Sequence, residues 1–588
     1  MRRRVLLVAC CLALPAFVVA QGPERFFGPS SQGLHQLFND YWEWRLAQEP
    51  ELATRMGRHE HGDRWTDWSK AARDRRRGAR QEYLRQAMLL SPGTLTPEDR
   101  LSAFVLEYEL ATALETEVFA DAVQRISQAD GAHNAVFSTI DQMPSRTVAE
   151  YEQILARLDA LPAYVDQTIA VAREQMAAGL IRPRVVVDLM LEQLSAQARY
   201  SATDTPLLAA FRRFPEAVPQ SDRERLRARG EEAYGRAFVP SWRRLETFLR
   251  DTYRPRANAD VSIGAAPEGR GAYAALIRLY TTTRTPAEQI HRRGLDEVAR
   301  IERQMAVLAT AEGFQGTAAE FERALGQRPG MRFANQEDML VYARQVLARV
   351  QPELPKLFRR VPRMTVGVRA IPPDREAATA SSYTAGTADG GRPAWFNMNT
   401  YQPQVQVRYR TEALVLHETV PGHHLQVGLA RELEGVPAFR AAFQASAFSE
   451  GWALYAESLG PALGTVYRDP TTRFGQLASE QFRAVRLVVD TGLHAMGWSR
   501  DRARAYFTEH VPGQSPAEVD RYIARPGQAL AYKLGELKLT ELRRRSEQAL
   551  GPGFDIRDFH DAVLRNGSLP LDLLEEQVDA YIAAARSN

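Results

Sequence analysis

LVLHETVPGHHLQ, residues 414–426, holds three of the chain's eleven histidines and places Glu418 directly after the first of them. In the zinc-binding pattern H-E-x-x-H, two histidines four residues apart lie on one face of a helix, and the glutamate serves as a general base. Here Pro421 occupies the position of the second histidine, and the next histidines, His423 and His424, follow six and seven residues after His417. The stretch therefore predicts a metal site only if its helix is interrupted.

A proline and a glycine predict such an interruption. In a straight helix His424 would lie about 10.5 Å along the axis from His417, too far to share a metal whose bonds to nitrogen are about 2.1 Å. Pro421 has no N–H, and its ring would clash with the carbonyl of His417, while Gly422 permits unusual dihedral angles. We expect a bulge between Val420 and Gly422, with Pro421 in the new first turn, that returns a histidine to the side of His417.

A helix further along the chain offers a third ligand. FSEGWALYAESL, residues 448–459, places Glu450 and Glu457 on one face of a predicted helix among apolar residues. A carboxylate on such a face is costly to bury unless it is paired or bound to a cation. We predict Glu450 as a metal ligand and Glu457 as the group that holds the far nitrogen of a histidine. Each feature alone is more often structural, but together they favour a metal site.

Length, composition and the N-terminus indicate an exported globular protein. The 588 residues are 45% hydrophobic and 25% charged, which suits one large domain or several smaller ones. Residues 1–20 have a basic start, an apolar run and small residues before Gln21, which predicts a secretory signal peptide. An uncleaved membrane anchor and lipid attachment at Cys10 are the alternatives. Both cysteines lie in this segment, so the mature protein would have no disulfide and no cysteine nucleophile.

The charge balance gives no support for two classes of partner. Signal cleavage removes three arginines and no acid, which leaves 72 basic against 72 acidic residues. A net charge of zero gives no reason to expect nucleic acid or an anionic membrane surface as a partner. No later segment is apolar for long enough to cross a bilayer. We therefore predict a periplasmic or secreted protein with no membrane contact after signal cleavage.

The spacing of apolar residues predicts a mainly helical chain with one small sheet. Strand signals are confined to RMTVGVRAI (363–371) and AWFNMNTY (394–401), just before the histidines. The candidate metal-binding and catalytic residues all follow residue 360. We therefore divide the mature chain into a helical scaffold, 21–360, and a zinc-site region, 361–588, although no linker marks the boundary. Helical spacing, with a break at Pro162, recurs over residues 31–48, 97–126, 147–180, 222–253, 285–313, 335–350, 471–497, 501–509 and 571–586.

Four motifs resemble those of a bacterial family of unknown-function proteins marked by the pattern HExxPGHHxQ: HETVPGHHLQ, FSEGWALYAE, RLVVDTGLH and RYIARPGQALAYKLG. EPELATRMGRHEHGD, residues 49–63, extends the resemblance to nearly the whole mature chain. The family is distantly similar to helical zinc peptidases of the angiotensin-converting-enzyme, thimet-oligopeptidase and carboxypeptidase Taq types. This resemblance implies a large helical zincin-like peptidase fold with its small sheet next to the active-site helix.

The resemblance also implies roles for single residues. Those peptidases carry HExGH and a later glutamate, and their Gly-His-x-Leu aligns with residues 422–425. This alignment makes His417, His423 and Glu450 the zinc ligands and Glu418 the general base. His424 remains the alternative ligand, because two extra residues precede Gly422.

Further candidates lie on both sides of the metal motif. A tyrosine hydroxyl often stabilises the oxyanion in such peptidases, and Tyr522 is favoured over Tyr532 because it follows an arginine. The segment 482–494 supplies further groups that could bind a peptide carboxylate or form a buried ion network, and RPAWFNMNTY could be a sheet edge that pairs with an extended peptide. The candidates from these two segments are Arg483, Arg486, His494, Asn397 and Asn399.

The residues and the resemblance together predict a secreted zinc metallopeptidase that hydrolyses short peptides, with Zn²⁺ as its cofactor. A zinc hydrolase or lyase acting on a non-peptide amide or a modified amino acid is the first alternative. A non-catalytic, metal-dependent binding protein is the second. The sequence leaves the substrate's length, the end preference and the oligomeric state open.

Overall fold

The computed structural model describes residues 31–587 apart from 90–94, 373–375, 377–379, 388–389 and 391, and it describes only the backbone of residues 31, 118 and 120–124. The predicted signal peptide lies outside the described residues. The α-helices are Ser31–Gln48, Pro50–Arg55, Lys70–Met88, Pro97–Arg125, Ala132–Asp141, Val148–Asp159, Leu161–Ala177, Arg184–Gln197, Gln220–Ala233, Val239–Thr247, Gly269–Thr281, Ala287–Ala311, Ala318–Leu325, Gln336–Val350, Thr411–Glu418, His423–Arg431, Ala438–Ala442, Ser446–Ser458, Gly460–Leu463, Pro470–His494, Arg500–His510, Glu518–Ala524, Ala531–Leu550, Ile556–Leu564 and Leu571–Ser587.

The predicted helices are present with small shifts at their ends, and the mainly helical fold class is confirmed. The predicted break near Pro162 falls at Ala160, because Pro162 occupies the first turn of the following helix, where its missing N–H costs no hydrogen bond. Thr147 caps the helix before the break, and Glu150 completes a capping box there. Short π-helical turns join the helices between residues 220 and 253, so that segment is helical throughout.

Five helices surround the predicted metal site, and each is named here by the residue that it contributes. They are the first histidine helix (Thr411–Glu418), the second histidine helix (His423–Arg431), the glutamate helix (Ser446–Ser458), the arginine helix (Pro470–His494) and the tyrosine helix (Ala531–Leu550). Within the described residues no helix is both long and apolar enough to span a membrane.

One small sheet precedes the first histidine helix, as predicted. Its strands are β1 (Val366–Ala370), β2 (Ser382–Thr384) and β3 (Ala394–Met398), in the order β1-β3-β2. β3 is parallel to β1 and antiparallel to β2. The expectation that AWFNMNTY forms a sheet edge is wrong, because β3 has a partner on both sides. The two edges are formed by β1 and by β2, and β2 has only three residues, which is too short to show alternation in the sequence.

Two helices at the site meet through their backbones. A Cβ added to Gly535, on the tyrosine helix, would lie 1.8 Å from the carbonyl oxygen of Ala447, on the glutamate helix. A Cβ added to Gly451 would lie 2.5 Å from the Cα of Gly535. No side chain other than hydrogen fits at either position, so the two glycines set the distance between the glutamate helix and the tyrosine helix.

The buried apolar side chains form several clusters around this crossing. The largest cluster joins residues between 34 and 110 to residues between 333 and 582. A second cluster lies between residues 65 and 257, and a third joins residues 186–325 to residues 407–529. The division of the chain near residue 360 remains a prediction.

Candidate metal centre

The histidine motif is interrupted at the predicted place. The first histidine helix ends at Glu418, and the second begins at His423, so four residues separate them. The Gly422 N–H donates to the carbonyl of Leu416 at 2.9 Å, and a Cβ on Gly422 would lie 2.1 Å from the carbonyl oxygen of His417. The expected break is therefore confirmed and requires this glycine. The expectation that Pro421 begins the new helix is wrong, because the helix resumes two residues later.

The break is held from the glutamate helix. Trp452 is fully buried, and its Nε1–H donates to the carbonyl oxygen of Pro421 at 2.8 Å. Because Trp452 lies two residues after Glu450, one turn of this helix fixes the break and also presents a carboxylate to it. The local sequence at Pro421 permits a break, and this tertiary contact determines how the chain passes through it.

Three of the predicted ligands come together. The ligand atoms of His417, His423 and Glu450 all lie within 4.8 Å of one another. Glu450 Oε2 is 3.6 Å from His417 Nε2 and 3.3 Å from His423 Nε2. The two imidazole rings are nearly perpendicular, with their centroids 4.8 Å apart. Two imidazoles and a carboxylate are a donor set of catalytic Zn²⁺ sites, so the residues present fit that ion.

The charges at this cluster favour a cation. Burial raises the pKa of Glu450, but His423 and His417 outweigh that effect and hold the pKa well below its usual range. Burial lowers the pKa of His417, but its hydrogen bonds with Glu450 and Glu457 outweigh that effect and raise the pKa to about 9. Without a metal, His417 thus retains a proton at the position where a cation would otherwise bind.

Glu457 forms a hydrogen bond with the first histidine. Its side chain has no exposed surface, and Oε1 accepts a hydrogen bond from His417 Nδ1–H at 2.8 Å. This bond leaves Nε2 as the nitrogen that faces Glu450. Arg483 lies behind Glu457, with Nη2 3.6 Å from the same oxygen, and its Nη1 donates to the carbonyl of Ser479 at 3.2 Å. Arg483 therefore supports Glu457 in this structure.

His424 faces away from the other ligands. Its Nε2–H donates to the carbonyl of Met364 at 2.8 Å, and its Nδ1 accepts from the hydroxyl of Tyr383 on β2 at 3.1 Å. Both nitrogens are thus occupied, one by the sheet and the other by the segment just before β1. The structure brings His423, and not His424, to His417 and Glu450.

Glu418 is buried beside the cluster without a partner. It is 6% exposed, and no described residue forms a hydrogen bond with its carboxylate. Burial raises its pKa, although His417 and His423 act in the opposite direction. A desolvated, unpaired carboxylate with a raised pKa is suited to accept a proton near neutral pH.

The two candidate tyrosines have different surroundings. The ring of Tyr532 lies nearly parallel to that of His417, with the centroids 6.4 Å apart, and its hydroxyl has no partner among the described residues. Tyr522 is fully buried, and its hydroxyl accepts from Arg486 Nε at 3.2 Å. The structure therefore places Tyr532 at the metal cluster and Tyr522 in the packing behind it.

Arg486 and His494, both on the arginine helix, have internal partners. Arg486 donates to Glu518 at 3.0 Å, and its guanidinium lies over the Tyr532 ring at 4.3 Å. His494 bonds through Nε2 to the carbonyl of Tyr522, and its Nδ1 accepts from a backbone N–H at 3.2 Å. Burial lowers the pKa of His494 to about 4. These two side chains position the tyrosines and do not join the cluster.

The two predicted asparagines stabilise the sheet and the loop beside it. Asn397 accepts from Arg369 and donates to Thr384, so its amide links all three strands. Asn399 donates to the carbonyl of Glu376 at 2.6 Å. Neither asparagine is in the metal cluster.

Two residues near the site were not among the candidates. Tyr383 on β2 lies parallel to His423 at 6.5 Å between ring centroids, and nothing in its short segment signals a site. Arg525 lies within the motif RYIARPGQALAY. The resemblance therefore pointed to this segment, but only its tyrosines were among the candidates. Arg525 comes directly after the helix Glu518–Ala524.

A family model described as a bacterial protein of unknown function, DUF885, matches residues 50–578. The chain belongs to this family. The resemblance inferred from the motifs is thereby confirmed. Curated proteins give no match to the chain.

Solved structures share the fold. A candidate lipoprotein from Colwellia psychrerythraea is 26% identical, with a TM-score of 0.90 over 94% of this chain and 99% of that one. A candidate lipoprotein of unknown function from Shewanella oneidensis is 17% identical, with a TM-score of 0.71 over 92% and 99%. A candidate oligoendopeptidase F from Bacillus anthracis covers 87% and 95%, but its TM-score of 0.29 at 13% identity is too low to bear on fold or function.

Proposed function

We propose that this protein is an exported zinc metallopeptidase that hydrolyses short peptides. The observation that carries the proposal is the convergence of His417, His423 and Glu450, with the unpaired carboxylate of Glu418 next to it. A structural cluster would pair that carboxylate, because burying it alone costs stability. A catalytic site needs it unpaired.

The chain's own groups divide the work of hydrolysis. When bound by His417, His423 and Glu450, Zn²⁺ supplies a Lewis acid that polarises a carbonyl and lowers the pKa of water. Glu418 accepts the proton of the attacking water and passes it to the departing amine. Tyr532 donates its free hydroxyl to the oxyanion that develops on the carbonyl.

The free edge of β2 is the proposed path for the peptide. No described strand pairs with the outer edge of β2, and Tyr383 in the middle of β2 lies beside His423. An extended peptide that pairs with this edge would pass the metal ligands. This assigns to β2 the role expected of β3, while Asn397 and Asn399 hold the sheet together.

Export is the proposed location. The N-terminal segment predicts cleavage before Gln21, and the two similar solved proteins are described as candidate lipoproteins, which favours a site outside the cytoplasm. Mass spectrometry of the native protein should find a chain that begins near Gln21 and carries no lipid. A lipid on Cys10 would replace this proposal with membrane anchoring, and an intact Met1 in the cytoplasm would refute export.

Metal content and peptide hydrolysis test the function together. The purified protein should hold one zinc per chain, lose activity on chelation and regain it with zinc. Mass spectrometry of a mixed short-peptide library identifies the bonds cleaved. If zinc-loaded protein leaves the library intact but cleaves N-acyl amino acids, the substrate is a non-peptide amide. If it only binds, the protein is not an enzyme.

A further inference from the structure

Guanidinium groups outnumber carboxylates around the ring of Tyr532. Arg486 stacks on this ring at 4.3 Å and donates to Glu518 at 3.0 Å. Arg521 donates to the same carboxylate from Nε at 3.0 Å, and its Nη1 donates to Gln528 at 2.6 Å. One carboxylate therefore serves two guanidinium groups, which leaves this side of the site with a surplus of positive charge.

A third guanidinium group has free donors. Arg525 pairs through Nε with Asp130, which fixes the plane of the group. Its two terminal nitrogens form no hydrogen bond with the described residues, and its side chain is 34% exposed. Its carbonyl accepts from the N–H of Gln528 at 3.2 Å, and the side chain of Gln528 accepts from Arg521. Arg525 thus offers two parallel N–H donors beside the surplus positive charge at Arg521.

The backbone around Arg525 is held in place from the arginine helix. Its N–H donates to the carbonyl of Arg521 at 2.9 Å. Two residues later, Gly527 adopts a φ of +85° and donates its N–H to the buried carboxylate of Asp490 at 3.0 Å. Tyr273 donates to the same carboxylate at 2.6 Å. The free donors therefore sit on a fixed segment.

We propose that Arg525 binds the C-terminal carboxylate of the peptide, so that the protein cleaves short peptides near their carboxyl ends. A carboxylate matches two parallel N–H donors of a guanidinium group, and the surplus positive charge at Arg486 and Arg521 favours an anion there. Tyr532 links this position to the metal cluster, because its ring lies beside both Arg486 and His417. The inference rests on the proposed function, and it assigns the end preference that the sequence leaves open.

A binding measurement tests the inference without turnover. The probe is a fluorescent, N-terminally labelled Ala-Ala-Phe-Ala-Ala, with either a free carboxylate or a C-terminal amide, on zinc-loaded Glu418→Gln protein. We expect the free acid to bind tighter by about ten- to a hundred-fold, the range of charge-assisted hydrogen bonds. In the double variant with Arg525→Gln, the two probes should bind within about twofold of each other. Equal binding of both probes to the parent protein would overturn the inference.

A matched variant separates Arg525 from general charge effects. Arg544 is exposed on the tyrosine helix, and its one side-chain hydrogen bond among the described residues is to Gln548. Arg544→Gln therefore removes the same charge outside the site and should keep the preference. A preference that survives Arg525→Gln would show that another group binds the carboxylate. If replacing Phe by aspartate in the amide probe raises its affinity, Arg525 binds acidic side chains instead of the C-terminal carboxylate.

Kinetics on the active protein distinguish this failure from failure of the proposed function. With peptides as substrates, Arg525→Gln should raise KM for free acids and change kcat little. Cleavage of acid and amide at equal kcat/KM would overturn the end preference and leave the peptidase proposal intact. If no peptide is cleaved, the peptidase proposal fails, and the binding measurement still decides the role of Arg525.

Discussion

Glu418→Gln is the substitution that separates a catalytic site from a structural one. Glutamine keeps the size and polarity of the side chain but cannot accept a proton. His417, His423 and Glu450 are untouched, so zinc should remain bound. The peptide should still bind, because neither Tyr532 nor the sheet edge changes.

The surroundings of Glu418 set the size of the expected loss. Removing a general base costs about 10² to 10⁴ in rate. Two other carboxylates lie at the site, but Glu450 is committed to the ligand cluster, and Glu457 is fully buried against His417. Neither can take over the proton, so we expect kcat to fall by about 10⁴. That fall corresponds to about 5 kcal/mol of the activation free energy.

Stability gives an independent check on the same variant. Burial raises the pKa of Glu418 above its value in the unfolded chain, so the ionised carboxylate destabilises the fold above that pKa. Glutamine removes this cost, and the metal-free variant should melt at the same temperature as the parent protein or higher. A loss of activity through unfolding would lower Tm instead.

Zinc content, kcat and Tm are measured on one preparation, beside the exposed control Glu434→Gln, which should match the parent protein. Retained turnover in Glu418→Gln would show that this carboxylate is not the base. Lost zinc would show that it is a ligand. Either result refutes the assignment of roles within HETVPGHH.

Three further predictions concern the groups around Glu418. His423→Ala should remove most of the bound zinc, whereas His424→Ala should retain it because both of its nitrogens have other partners; equal zinc content in the two variants would contradict this difference. Glu457→Gln should weaken zinc binding by about 10- to 100-fold, the usual effect of losing the carboxylate that orients a ligating histidine, as measured by competition with a chelator. Burial raises the pKa of Asp490 from 3.8 to about 7, so the fold favours the protonated form of this carboxyl group. Its contribution to the free energy of unfolding is complete below pH 3.8 and falls by about 4 kcal/mol as pH rises through 7. Asp490→Asn should therefore raise Tm by about 3 °C at pH 8 and leave it nearly unchanged at pH 4; the same shift at both pH values would exclude this cause.

The features that the sequence predicted well are local ones. Amphipathic spacing identified the long helices, because each repeats its pattern over several turns. The interruption at Pro421 and Gly422 followed from ring sterics and a missing N–H. The spacing of Glu450 and Glu457 put both on one helix face, and the structure places them on either side of His417.

The features that the sequence did not predict depend on contacts between distant segments. β2 has three residues, and its place outside β3 is set by sheet pairing. The choice between His423 and His424 depends on where the second histidine helix restarts, which Trp452 fixes from another helix. Tyr522 and Tyr532 lie ten residues apart in one motif, and only packing shows that the first is buried and the second faces the metal cluster.

The contact of Gly451 with Gly535 limits how the site of this protein can change by mutation. Glu450 adjoins one of these glycines, and Tyr532 precedes the other by a single helical turn. The distance between the glutamate helix and the tyrosine helix is thus set by contact between their backbones. Replacing one buried side chain by another cannot change that distance. Substitutions among the buried side chains around this crossing should therefore leave the spacing between Glu450 and Tyr532 unchanged. Substitution of either glycine by a larger residue would push the two helices apart.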